Sequence, residues 1–143
     1  MEGIVDRLEE VRERFARSAF HTAFVGMRLD HVGAGEVRLS LDVEPRHLNL
    51  TGQVHGGMIA TLADTATGLA YRTILEPGTS SLTSTLNVTF LRPGRSGVVT
   101  ATGRVLKRGA RFGYAEADVE NADGQMLARA TATFTVVSEP REG

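Results

Sequence analysis

One carboxylate stands alone in the least polar stretch of this chain. Residues 47–75 read HLNLTGQVHGGMIATLADTATGLAYRTIL, and between Val54 and Tyr71 the one charged side chain is Asp64. Burying a lone ionised group is costly unless something satisfies it. Gly56 and Gly57 stand ahead of it, where the composition places the start of a helix. The first N–H groups of a helix have no partner within it, the dipole there favours negative charge, and glycine lets a ligand reach bare backbone. The helix therefore offers two reactive elements: free N–H donors at its start, and a carboxylate about two turns further on. At 1.5 Å rise per residue, Gly56 and Asp64 lie about 12 Å apart along the axis, a poor fit to one carbonyl that must lie within ~3 Å of its oxyanion donor and be reachable by the nucleophile or its water. Two such helices running antiparallel about a two-fold axis would bring Gly56 of one chain to Asp64 of the other, giving two equal composite sites.

The remaining segments are predicted to position this helix. From Gly57, the residues Met58, Ile59, Ala60, Leu62, Ala63, Ala66, Leu69, Ala70, Ile74 and Leu75 put apolar side chains nearly all the way round, the pattern of a helix buried on every side. Asp64 is expected to share its face with Gly57, Ala60, Thr61, Thr67, Gly68 and Tyr71. Ahead of it, residues 3–19 make an amphipathic helix with Ile4, Val5, Leu8, Val11 and Phe15 on one stripe. Residues 24–32 and 36–44 form two strands joined by Gly33-Ala34-Gly35, the second with Val37, Leu39, Leu41 and Val43 facing inward. A polar connection, residues 45–53, leads into the helix, and Glu76-Pro77-Gly78 stops it. Four strands follow at 81–92, 98–107, 112–120 and 126–137, linked by turns, and the tail SEPREG is expected to fray. One antiparallel sheet can cover an all-apolar helix only by curling round it, with small residues on the 112–120 strand allowing close approach.

At 143 residues the chain suits a single domain. A net charge of −1 gives no electrostatic reason for a nucleic acid partner. No cysteine is present, which excludes thiol nucleophiles and cysteine-bound metals and fits a reducing compartment. No apolar run approaches the ~20 residues that span a bilayer. The expectation is a soluble, cytoplasmic protein without membrane attachment.

The order of elements, together with Asn49, His55-Gly56-Gly57 and Asp64, resembles the hotdog-fold acyl-CoA thioesterases, in particular the phenylacetyl-CoA thioesterase-like branch. The resemblance implies an α+β fold: an antiparallel six-stranded sheet wrapped round one long central helix. An extra amino-terminal helix would occupy residues 1–22, ahead of the hotdog domain at 23–138. It further implies a homodimer with composite active sites, commonly a dimer of dimers, acting on an acyl-CoA substrate without a cofactor or metal. Residue by residue, Gly56 matches the glycine whose N–H binds the thioester oxygen, and Asp64 the carboxylate that attacks the carbonyl or activates water. Asn49 matches a loop amide orienting the nucleophile or water, His55 a residue supporting the thioester end, and Thr83 a hydroxyl near the carboxylate.

A thioester is already activated, so an oxyanion hole and one oxygen nucleophile suffice. The sequence leaves open whether Asp64 is nucleophile or general base. Each residue also has a plainer reading: Asp64 bonded to threonines, His55 as a helix-start residue, Asn49 as a loop-folding amide, Thr83 on a solvated strand face, Gly56 and Gly57 as tight packing. Gly57 is grouped with the substrate-binding residues. The phosphates of coenzyme A call for cations, for which Arg92, Arg95, Lys107, Arg108 and Arg111 are candidates. His21, His31 and His47 lack metal-ligand spacing and read as surface or packing residues. Tyr71 and Phe90 read as core ahead of acyl pocket. Two other functions compete: a hotdog (de)hydratase, which needs a histidine beside the acid where none stands one turn away, and a non-catalytic acyl-CoA-binding module.

Overall fold

A computed structural model describes residues 2–140. The elements are α1 (Glu2–Arg17), a π-helical segment (Phe20–Val25), β1 (Met27–Gly33), β2 (Glu36–Asp42) and a 3-10 turn (Pro45–His47). Then come α2 (Gly56–Arg72), β3 (Thr79–Phe90), β4 (Val98–Arg108), β5 (Phe112–Glu120) and β6 (Met126–Ser138). The six strands form one antiparallel sheet in the order β1-β2-β4-β5-β6-β3, and the sheet wraps α2. This is the expected hotdog arrangement with an added amino-terminal helix. β3 lies at one edge, so among the described residues one side of its twelve residues has no strand beside it.

The predicted alternation of β2 holds where it matters: Val37, Leu39 and Leu41 are fully buried against the helix. The helix itself departs from the all-round burial read from its composition. Ile59, Leu62, Ala63, Ala66, Thr67, Ala70 and Tyr71 are buried, but Asp64, Thr65, Gly68, Leu69 and Arg72 are only partly covered. Thr67 and Tyr71 therefore belong to the sheet side and not to the open face of Asp64. Thr67 turns its hydroxyl back to the carbonyl of Ala63 at 2.9 Å.

Two glycines set how closely sheet and helix approach. A Cβ on Gly103 of β4 would stand 2.4 Å from the Ala66 carbonyl oxygen, and one on Gly113 of β5 would fall 2.1 Å from the Tyr71 ring. The tightest backbone contact is thus on β4, one strand away from the small-residue strand that the sequence singled out. The Tyr71 ring stacks on Phe134 with centroids 4.9 Å apart. Its hydroxyl is buried and, among the described residues, has no hydrogen-bond partner. Leaving a buried hydroxyl unpaired costs about 1–3 kcal/mol, so Tyr71→Phe should raise the stability by a comparable amount. Urea titration checks this; an unchanged or lower midpoint would contradict it.

Helix α1 packs Val11 among Val32, Val37 and Ala70, while the side chains of Ile4 and Val5 lie outside the described residues. Arg7 is buried and donates to the carbonyls of Leu75, Glu76 and Thr79, closing the end of the central helix. Glu139, expected in a frayed tail, is held by Arg14 at 2.7 Å and Arg72 at 2.8 Å. Residues 141–143 lie outside the described residues.

The first strand begins at Met27, not Phe24, because residues 20–25 wind into a π turn. Gly26 donates its N–H to the His21 carbonyl five residues back and then leaves the helix with φ +86°. Arg46 and His47 secure that turn from the far side. Arg46 Nη1 donates to the Phe24 carbonyl at 2.7 Å, and His47 Nε2 donates to the Val25 carbonyl at 2.8 Å. His47 Nδ1 accepts from the Glu44 N–H, so this buried histidine is a packing residue, as read. No helix among the described residues is long and apolar enough to cross a membrane.

Candidate active site

The amino end of α2 keeps one donor free by capping another. His55 is the N-cap, and its Nδ1 accepts the Gly57 N–H at 2.8 Å. The His55 carbonyl accepts from Met58 at 2.8 Å. Gly56 N–H has no acceptor among the described residues. Of the first N–H groups of the helix, Gly56 is therefore the one free to meet an oxyanion, and the dipole adds to its pull. Gly57, expected to bind substrate, has its N–H committed to the His55 cap.

Asn49 folds the preceding loop. Its Oδ1 accepts from the Thr51 N–H, the Thr51 hydroxyl and the Gln53 N–H at 2.9, 2.9 and 3.0 Å. Three donors on one atom fix which end of the amide is oxygen and leave the Nδ2 hydrogens to point elsewhere. Asn49 and Gly56 line one cavity of about 470 Å³, whose other walls include Ile59, Phe90, Arg92 and Leu127. Phe90 is exposed rather than core, and its ring would lie 3.4 Å from a Cβ on Gly56.

Asp64 lies in a different cavity, of about 200 Å³, with Thr83, Gly68, Arg72 and His21. Thr83 donates its hydroxyl to Asp64 Oδ1 at 2.8 Å. The pairing of β3 with β6 shifts register between Thr83 and Thr85, a bulge of the kind that re-aims a side chain. Arg72 does not neutralise the carboxylate directly, since its guanidinium is held by Glu10, Ser80 and Glu139. The two cavities share no lining residue. Within one chain the free N–H and the carboxylate stay apart, as the helix rise requires.

Arg92 belongs to the Gly56 cavity, and Arg95 is exposed on the same loop. Lys107, Arg108 and Arg111 are exposed round the β4–β5 turn, and none lines either cavity. Arg108 is paired with Glu76 at 2.5 Å.

The residue that the sequence reading missed is His21. Its lack of metal-ligand spacing reads as surface or packing, yet the π turn brings it to the wall of the Asp64 cavity. Burial lowers its affinity for a proton below the usual histidine value, and the nearby charge of Asp64 opposes that shift. No local spacing could have paired residues forty-three positions apart. No histidine stands one turn from the acid along α2, but His21 shares its cavity.

Residues 51–128 match the model of the Thioesterase superfamily. Acyl-coenzyme A thioesterase 13 of Homo sapiens is 28% identical, covering 93% of this chain and 96% of that protein. The medium/long-chain acyl-CoA thioesterase of Salmonella typhimurium is 30% identical over 90% of this chain and 93% of its own. The E. coli PaaI protein from the phenylacetic acid degradation operon superimposes with a TM-score of 0.84, covering 96% of this chain and 95% of that one, at 22% identity, a likeness of fold.

Proposed function

The chain belongs to the thioesterase superfamily, and from that premise we propose that it hydrolyses acyl-CoA thioesters to the free acid and coenzyme A in sites shared between two protomers. The observation that carries this reading is the division of labour along β3. Gly56 lies against Phe90 near one end of that strand, and Asp64 is bonded to Thr83 nearer the other. β3 is an edge strand, open to pairing. If two copies pair β3 antiparallel with Thr83 opposite the partner's Phe90, the two-fold falls between Leu86 and Asn87, and Asp64 comes to the partner's Gly56. The same operation crosses the two α2 helices near Ala60, where small side chains permit close contact.

In such a site the Gly56 N–H stabilises the oxyanion as the carbonyl becomes tetrahedral. Asp64 acts as nucleophile or as general base for water, with Thr83 holding Oδ1 and leaving Oδ2 to react. The Asn49 amide and Arg92 border the cavity on the Gly56 side, where Arg92 can meet a coenzyme A phosphate. Arg95 supplements it from the same loop. The substrate class is aryl-acyl or medium-chain: the Salmonella relative bears a medium/long-chain acyl-CoA thioesterase name, and a solved protein of Ralstonia eutropha, 30% identical over 88% of this chain, is described as phenylacetic acid degradation-related. His21 beside Asp64 favours one second reading, (de)hydration of an acyl thioester, which would change enoyl absorbance without releasing thiol.

The test is thiol release on phenylacetyl-, hydroxybenzoyl-, short- and medium-chain acyl-CoA esters, followed by complementation. Gly56→Pro removes the donor at the first helical position, where proline is tolerated and the extended backbone of His55 already suits a following proline. Gly56→Pro and Asp64→Ala should each be inactive alone. Refolded together, half of the dimers would be mixed with one intact site each, restoring about a quarter of the native activity. No recovery on mixing would place both groups in one chain and sink the composite site.

A further inference from the structure

Thioester hydrolysis leaves a proton to dispose of, and the Asp64 cavity holds a second group able to take it. His21 stands on the π turn with its Nδ1 2.6 Å from the Ser18 hydroxyl, and its ring packs against Phe15 and Phe20. The turn that fixes it is itself tied down by Arg46 and His47. The ring is thus positioned from two sides, and its remaining nitrogen, Nε2, has no hydrogen-bond partner among the described residues. We propose that His21 is the proton acceptor for Asp64 during turnover, with Ser18 as its orienting partner.

The step rests on the thioesterase reading above. Water adds its oxygen to the thioester carbonyl and gives one proton to the Asp64 carboxylate; the tetrahedral intermediate collapses, the C–S bond breaks and the thiolate departs. The protonated Asp64 then passes its proton to Nε2 of the neutral imidazole, restoring the carboxylate. The imidazolium returns the proton to the departing thiolate or to solvent through the open cavity. With Nδ1–H donated to the Ser18 hydroxyl, Nε2 keeps the lone pair that this needs. The charged groups that face the ring are Asp64 and Arg72, both on α2, and Arg72 is already committed to Glu10 and Glu139. β3 and β6 add only Ser80, Ser81, Thr83 and Phe134 to this cavity.

Burial depresses the proton affinity of His21, so the ring is neutral at pH 7 and protonates only below the ordinary value of 6.5. Activity should fall as pH drops through that depressed value. His21→Gln, which cannot carry a proton, should lower kcat about ten- to a hundredfold at constant KM and abolish that acidic limb. Ser18→Ala should weaken kcat less. An NMR titration of the His21 ring decides the matter independently of folding of the variant: in Asp64→Asn the ring should titrate at lower pH than in the native chain. An unchanged ring titration in Asp64→Asn overturns the coupling. So does a His21→Gln protein with native kcat and native pH profile. A native chain that hydrolyses no ester overturns the thioesterase reading and this inference with it, whereas an active native chain with an indifferent His21 overturns this inference alone.

Discussion

Asp64→Ala is expected to lower kcat/KM by at least about a hundredfold on whichever acyl-CoA the native chain hydrolyses, because in the proposed mechanism it deletes the group that attacks the carbonyl or activates water. The loss should appear in kcat, with KM little changed, since no substrate-binding contact is removed. Folding should survive the change: Asp64 is half-buried on the open face of α2, and among the described residues its one side-chain partner is the exposed Thr83. Asp64→Asn supplies the sharper control. The amide oxygen can still accept from Thr83 where Oδ1 does now, so the local structure is kept while the charge and the basicity go. Loss of rate in both variants with native melting curves would assign the effect to chemistry. A fully active Asp64→Asn would remove Asp64 from the mechanism.

The largest expected effect on stability lies on the other side of the same helix. Gly103→Ala should cost about 3 kcal/mol or more, at the upper end for an added methyl in a packed interior. The added Cβ would meet backbone: the Ala66 oxygen at 2.4 Å, its carbonyl carbon at 2.5 Å and the Thr67 nitrogen at 2.8 Å. A side chain could rotate away, but a helix backbone held by the sheet can yield only by lifting α2 from β4. Lifting it also disturbs Ala101 and Ala117, both fully buried on the neighbouring surface. A drop in melting temperature of about 10 °C or more is expected. A melt within two or three degrees of the native protein, about 1 kcal/mol, would mean that sheet and helix have slack at this point.

Much of this was legible in the residues. The unpaired charge inside an apolar run located Asp64, and the rise of a helix alone separated it from Gly56, a separation that the two unshared cavities reproduce. Alternation of period two located β2 and β5, the latter with its bounds as predicted. What escaped depends on contacts between distant segments. Composition cannot say which side of an apolar helix the sheet will cover, so it does not reveal that Thr67 and Tyr71 face the sheet. The π turn at 20–25 exists because Arg46 and His47 reach across to its carbonyls, and without them residues 24–26 read as strand. His21 owes its place to that turn. The division of the N–H groups between cap and free donor follows from the rotamer of His55, which no motif records.

The edge position of β3 also bears on how the protein is made. Along that strand Leu82 and Phe90 are exposed, in a run of twelve residues rich in threonine and serine with no charge and no proline. A strand of this kind recruits whichever chain it meets first, correct or not. If β3 pairs with a second copy as proposed, the interval between synthesis and pairing is the vulnerable stage in the life of each subunit. On that proposal, substitutions that weaken self-pairing of β3 should deplete the recoverable protein through precipitation before they yield a soluble single subunit, so that poor expression becomes the first visible sign of a damaged interface.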